Sequence, residues 1–65
     1  MSTRVRIEVK NQFGTWVTCQ EVLNNQQSIK SGFEWALNHN PIGKASKQAR
    51  AVDMQTGAMV DMAYG

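Results

Sequence analysis

Residues 4–10 read Arg4-Val5-Arg6-Ile7-Glu8-Val9-Lys10. Apolar and charged side chains alternate without a break, the signature of a strand buried on one face. Val5, Ile7 and Val9 share the inward face, and Arg4, Arg6, Glu8 and Lys10 share the outward one. Gln12-Phe13-Gly14 follows, then Thr15-Trp16-Val17-Thr18-Cys19-Gln20, a run rich in the β-branched and aromatic residues that suit strands. A three-residue loop with Gly14 in the left-handed region pairs Val9 with Val17 and Ile7 with Cys19. A two-residue loop would set Val9 against Trp16 and scatter the apolar set, so the pattern selects the longer loop.

The same skeleton returns near the other end. Val52-x-x-Gln55-x-Gly57-x-x-Val60 repeats Val9-x-x-Gln12-x-Gly14-x-x-Val17. This predicts a second hairpin of like geometry, with Val52 opposite Val60 and Met54 opposite Ala58. Shared turn chemistry accounts for the repeat without duplication.

Between the hairpins, Ile29, Phe33, Ala36 and Leu37 recur at helical spacing and form one apolar stripe. Asn24 and Asn25 are candidate N-caps. Gly32 costs the helix roughly 1 kcal/mol against Ala, which a close approach to the sheet would offset. Asn40-Pro41 ends the helix, because the residue before Pro avoids helical backbone. Residues 41–46, Pro-Ile-Gly-Lys-Ala-Ser, read as a loop.

The order strand, strand, helix, strand, strand predicts an α+β fold. One domain, residues 1–65, carries a four-stranded antiparallel sheet with the helix packed on one face. The expected core is Val5, Ile7, Val9, Val17, Cys19, Ile29, Phe33, Ala36, Leu37, Val52, Met54 and Val60, with Met62 at its margin. The expected open face holds Arg4, Arg6, Glu8, Lys10, Trp16, Thr18 and Gln20 from one hairpin and Ala51, Asp53, Met59 and Asp61 from the other. The pattern leaves strand order open.

Composition narrows the chemistry. In 65 residues, 42% of them hydrophobic, burial barely offsets conformational entropy, so a partner or a second copy would help. One Cys excludes an internal disulfide, and one Cys with one His excludes an ordinary structural zinc site. No apolar run approaches the ~18 residues that cross a bilayer, and the alternating start is not a secretory signal. These features lead to an expectation of a soluble, reducing, intracellular setting, no cofactor and no membrane. Cys19 with His39 is the one conceivable nucleophile–base pair. An inward strand Cys acts as a small hydrophobe, and His39 falls at a helix C-terminus, where it can meet the last carbonyls. The chain is therefore read as a non-enzyme, with no catalytic or metal residues and no evident small-molecule substrate.

Seven Lys+Arg stand against five Asp+Glu, and all seven cations lie within residues 1–50. Six of them gather at Arg4, Arg6 and Lys10 and again at Lys44, Lys47 and Arg50. Trp16 alternates onto the open face. Trp35 lies about 120° around the helix from Ile29, off the core stripe. Off-core Trp is enriched among interface anchors. Trp16, Trp35, Arg4, Arg6, Lys10, Lys44, Lys47 and Arg50 are the candidate binding residues. The leading expectation is a binding protein whose partner is a protein or a second copy, through a strand edge or the helix flank. The alternative is a nucleic-acid binder using the basic sheet face and loop.

Arg4–Lys10, Trp16-Val17-Thr18, Asn24-Asn25 with Gln27-Ser28-Ile29-Lys30, and Arg50-Ala51-Val52-Asp53 with Gly57 and Val60-Asp61 resemble short, uncharacterised proteins of bacteriophages and mobile elements. The resemblance transfers no site residue. It implies a small product inside a bacterium that binds a host macromolecule and blocks or redirects it.

Overall fold

The structure, a computed structural model, describes residues 3–65. β1 (Arg4–Lys10) and β2 (Trp16–Leu23) form the first hairpin. Helix α1 (Gln26–Asn38) and a short helix α2 (Pro41–Ser46) follow, then β3 (Gln48–Asp53) and β4 (Met59–Tyr64). The antiparallel sheet has the order β2-β1-β3-β4, so the two hairpins meet through β1 and β3. Val5, Ile7 and Val9 are fully buried in this central pair and share the core with Ile29, Phe33 and Ala36 of α1. The α+β architecture is the one the sequence implies.

Local chemistry sets the helix ends. Asn25 is extended, and its side chain accepts from the Ser28 N–H at 2.8 Å, capping α1. Asn40 ends the first helix and starts the second. Its Oδ1 accepts from Ile42 and Gly43 N–H, and Pro41 occupies the first turn, where a missing N–H costs nothing. Residues 41–46 are therefore helical and not a loop. Pro41 breaks α1 as expected, but together with Asn40 it also makes a helix N-terminus. Gly32 lets α1 approach the sheet: a Cβ there would lie 2.8 Å from Ile7 Cγ1.

The first hairpin has the expected turn. Val9 pairs with Val17, Gly14 has φ 81°, and Asn11 and Thr15 close a three-residue loop. Farther out, the register slips at Cys19, and Ile7 pairs with Gln20 instead of Cys19. This bulge turns Gln20 from the open face to the helix side. Cys19 still packs against the core.

The second hairpin differs from its twin. Gly57 has φ 78°, as expected, but the loop holds four residues, closing at Asp53 and Ala58. Val52 pairs with Met59 rather than Val60, and Val60 is the extra residue of a bulge before the Ala51–Asp61 pair. The cause is the side chain that organises each turn. Asn11 Oδ1 accepts from Phe13 and Thr15 N–H, whereas Asp53 Oδ1 accepts from Gln55 and Thr56 N–H. In the repeated skeleton Asp53 aligns with Lys10, one place earlier than Asn11, so its loop is one residue longer.

Pairing with β1 fixes which face of β3 is inward. Val9 pairs with Ala49 and Ile7 with Ala51, and both alanines are fully buried in the core. Val52 faces the open side opposite Arg6 and is nonetheless buried. The expected faces of β3 and of β4 beyond the bulge are thus exchanged: Ala51, Asp53 and Asp61 belong to the helix side, and Met62, paired with Arg50, belongs to the open side, while Met59, before the bulge, lies on the open side as expected. Met54 and Val60 are exposed rather than core, and Val17 is half-buried.

Candidate binding face

The uncovered side of the sheet can be read row by row from the registers. One row runs Trp16, Lys10, Gln48, Tyr64; the next runs Thr18, Glu8, Arg50, Met62; the third runs Glu21, Arg6, Val52, Met59. Arg4 and Leu23 form the end of the face.

Glu8 organises the centre. It is only 7% exposed although it lies on the open side. Its Oε1 accepts from Arg50 Nε at 2.8 Å, and its Oε2 accepts from Thr18 Oγ1 at 3.2 Å. Arg6 Nε stands 3.8 Å from the same carboxylate. Burying a carboxylate is costly unless charges and donors meet it, and here one acid gathers three strands. The Arg50 guanidinium lies 4.4 Å from the Trp16 ring centroid. Lys10 is the cross-strand neighbour of Trp16, but the cation over the ring is Arg50.

Around this hub the face is apolar. Tyr64 is 69% exposed and Met59 58%, and Leu23 is also exposed. The Tyr64 hydroxyl donates to Met62 Sδ at 3.1 Å. Sequence reasoning missed Tyr64, Met62 and Leu23 as face residues. Tyr64 and Met62 were hidden by the face exchange, and Leu23 by the bulge at Cys19.

The candidate residues divide. Arg4, Arg6, Lys10, Trp16 and Arg50 come together on the open face. Lys44 lies on α2, and Lys47 follows it as the C-cap, with φ 57°. Trp35 lies on α1, 40% exposed. The two Trp residues therefore belong to different layers. The helix layer carries its own small apolar groove of about 360 Å³, where Phe13 of the first turn meets Pro41, Ile42 and Ala45.

Cys19 Sγ donates to the Ile7 carbonyl oxygen at 3.2 Å. Burial pushes its thiol pKa up, against the lowering effect of its backbone hydrogen bond, and nearby Glu8 raises it further. A raised pKa disfavours the thiolate a nucleophile needs. His39 is the C-cap of α1, with its backbone N–H donating to the Trp35 carbonyl. Among the described residues no three His, Cys, Asp or Glu side chains come together as metal ligands, and no helix is long and apolar enough to cross a membrane. No protein-family model, curated protein or solved structure matches the chain.

Proposed function

We propose that this protein is a non-enzymatic binding module that docks a protein partner on its open sheet face. The observation that carries this reading is the composition of that face. Trp16 stacked on Arg50, with Tyr64, Met59, Met62 and Leu23 elsewhere on the same face, has the aromatic, Met and Arg bias of interface cores. The Glu8 hub holds Arg50 in place beneath Trp16, so binding needs little further ordering of either side chain. In the phage or mobile-element setting that the sequence resemblance implies, the partner is a protein of the bacterial cytoplasm, inhibited or modulated by occupancy.

Nucleic acid is the second reading, favoured by two aromatics on a sheet that also carries Arg4, Arg6, Lys10 and Arg50. Two features weigh against it. Glu8 takes up charge from Arg50 and Arg6. Trp16 and Tyr64 stand three strand spacings apart, about 14 Å at ~4.8 Å each, too far to stack successive bases.

Titration with single-stranded and duplex DNA across a salt series separates the two readings. The protein reading expects weak binding with a shallow salt slope, and a steep slope would replace it with phosphate recognition. Capture from bacterial lysate, compared between the wild type and a Tyr64→Ala, Met59→Ala double variant, supplies the positive arm. A specific protein retained by the wild type and lost by the variant supports docking on this face. Equal retention by both refutes it.

A further inference from the structure

The free edge of β4 has a defined hydrogen-bonding pattern. Antiparallel pairs alternate between those that exchange hydrogen bonds and those that do not. Gly65 N–H donates to the Lys47 carbonyl at 2.8 Å. Continuing the alternation, Ala63 exchanges bonds with Ala49 and Asp61 with Ala51. The backbone groups of Met62 and Tyr64 therefore point away from β3, toward the free edge. The Met62 N–H is met there by the Asp61 carboxylate beside it, at 2.8 Å.

We infer that this edge pairs with the same edge of a second copy, antiparallel about a two-fold axis through Ala63. That register sets Met62 against Tyr64 of the partner copy, and Tyr64 against its Met62. Both are outward-bonding positions, so the pair contributes two reciprocal sets of backbone bonds. Side chains agree with backbone. Met62 and Tyr64 already meet within one chain, and the two-fold brings two such pairs together on the open face, joining the sheets into one of eight strands. Asp61 falls opposite Gly65 and not opposite Asp61, so the acids do not face each other. No Lys, Arg or Pro occurs in residues 51–65 to guard this edge. The other edge, β2, carries the Cys19 bulge and the charged Glu21, which disfavour an added strand. Like edges therefore match, and the assembly closes as a dimer instead of growing. Asp61 competes for the Met62 N–H and keeps the pairing weak and reversible.

Sedimentation velocity from about 10 μM to about 1 mM tests this. The wild type should pass from monomer toward dimer over that range. Met62→Pro removes one outward N–H without touching the β3 ladder, and Pro is tolerated where an edge N–H faces solvent. It should weaken dimerisation by about tenfold or more. Glu21→Pro, at an outward position of β2 by the same alternation, should leave dimerisation unchanged. Tyr64→Lys, which alters no backbone group, should also abolish the dimer and covers the case in which Met62→Pro fails to fold. Asp61→Ala frees the Met62 N–H and should tighten the dimer several-fold. A wild type and an Asp61→Ala variant both monomeric at the highest concentration would overturn the inference. So would a dimer lost in Trp16→Ala but kept in Tyr64→Lys, which would place self-association elsewhere on the sheet face. The docking reading stands or falls separately, on retention of a partner.

Discussion

Gly43 lies where α2 crosses α1, and a Cβ there would overlap the Ala36 carbonyl oxygen while pressing on Val9 Cγ1 at 3.2 Å. Backbone cannot yield as a flexible side chain can, so Gly43→Ala should cost about 3 kcal/mol in a urea titration. Gly32→Ala meets only the Ile7 and Val22 side chains and regains ~1 kcal/mol of helix propensity, so its loss should be clearly smaller. Lys47 shows the opposite case, a non-glycine residue at φ 57°. Lys47→Gly should raise stability by about 1 kcal/mol. Cys19 gives a pH dependence. Its folded pKa is raised, so its contribution is complete below the unfolded value and is lost as pH rises through the folded one. Stability should decline on the alkaline side by an increment that Cys19→Ser removes, and chemical denaturation at several pH values would show it. An identical decline in both proteins would exclude the thiol as its source.

At the scale of elements, alternation in residues 4–10 was enough to place β1, and the helical stripe was enough to place α1 on it. Strand identity was legible, but strand facing was legible only where the turn was. Reading Gln55-x-Gly57 by analogy with Gln12-x-Gly14 found the second hairpin and its left-handed glycine. It missed that Asp53, one place earlier than Asn11 in the frame, organises the turn. The bulge at Val60 cancels the extra loop residue, so from the Ala51–Asp61 pair onward the hairpin keeps the register that the repeat implies. What exchanged the faces is pairing with β1, which turns Ala49 and Ala51 into the core and leaves Met62 and Tyr64 on the open face. Alanine carries little hydrophobic signal, so nothing in composition marked these two as core. The bulge at Cys19 was equally silent. Both turns nevertheless depend on positive φ at glycine. Gly14→Val and Gly57→Val should each cost more than about 1 kcal/mol, because a β-branched residue resists that region. Thermal melts that match the wild type would show that the loops can re-form without a left-handed residue.

Across the whole molecule, the two sides of the sheet divide the labour. The helices cover one side and complete the core there, and on the other side the buried Glu8 carboxylate gathers side chains of three strands. Four of the eight candidate binding residues, Arg4, Arg6, Lys10 and Trp16, were legible as sharing a face by alternation within the first hairpin, and Arg50 joined them only because β3 pairs with β1 with Ala49 and Ala51 inward. Trp35 was already legible on the helix, and Lys44 and Lys47 after Pro41; the structure sets all three in the helix layer or at its end. That division gives the decisive comparison between the Trp residues. Trp16→Ala removes a ring from Arg50, an interaction of ~1 kcal/mol at this half-buried site, so the fold should survive. Trp35, on α1, is 40% exposed, and Trp35→Ala should cost stability on a similar scale. Partner binding should respond differently. If docking uses the open face, Trp16→Ala should weaken it by 2 kcal/mol or more, about thirtyfold, while Trp35→Ala leaves it unchanged. The measurement is calorimetric titration of each folded variant against the captured partner, after circular dichroism has verified the fold. Loss of binding in Trp35→Ala alone would move the interface to the helix layer. Unfolding of both variants would mean that neither ring is free to serve a partner, and the open face would lose its claim.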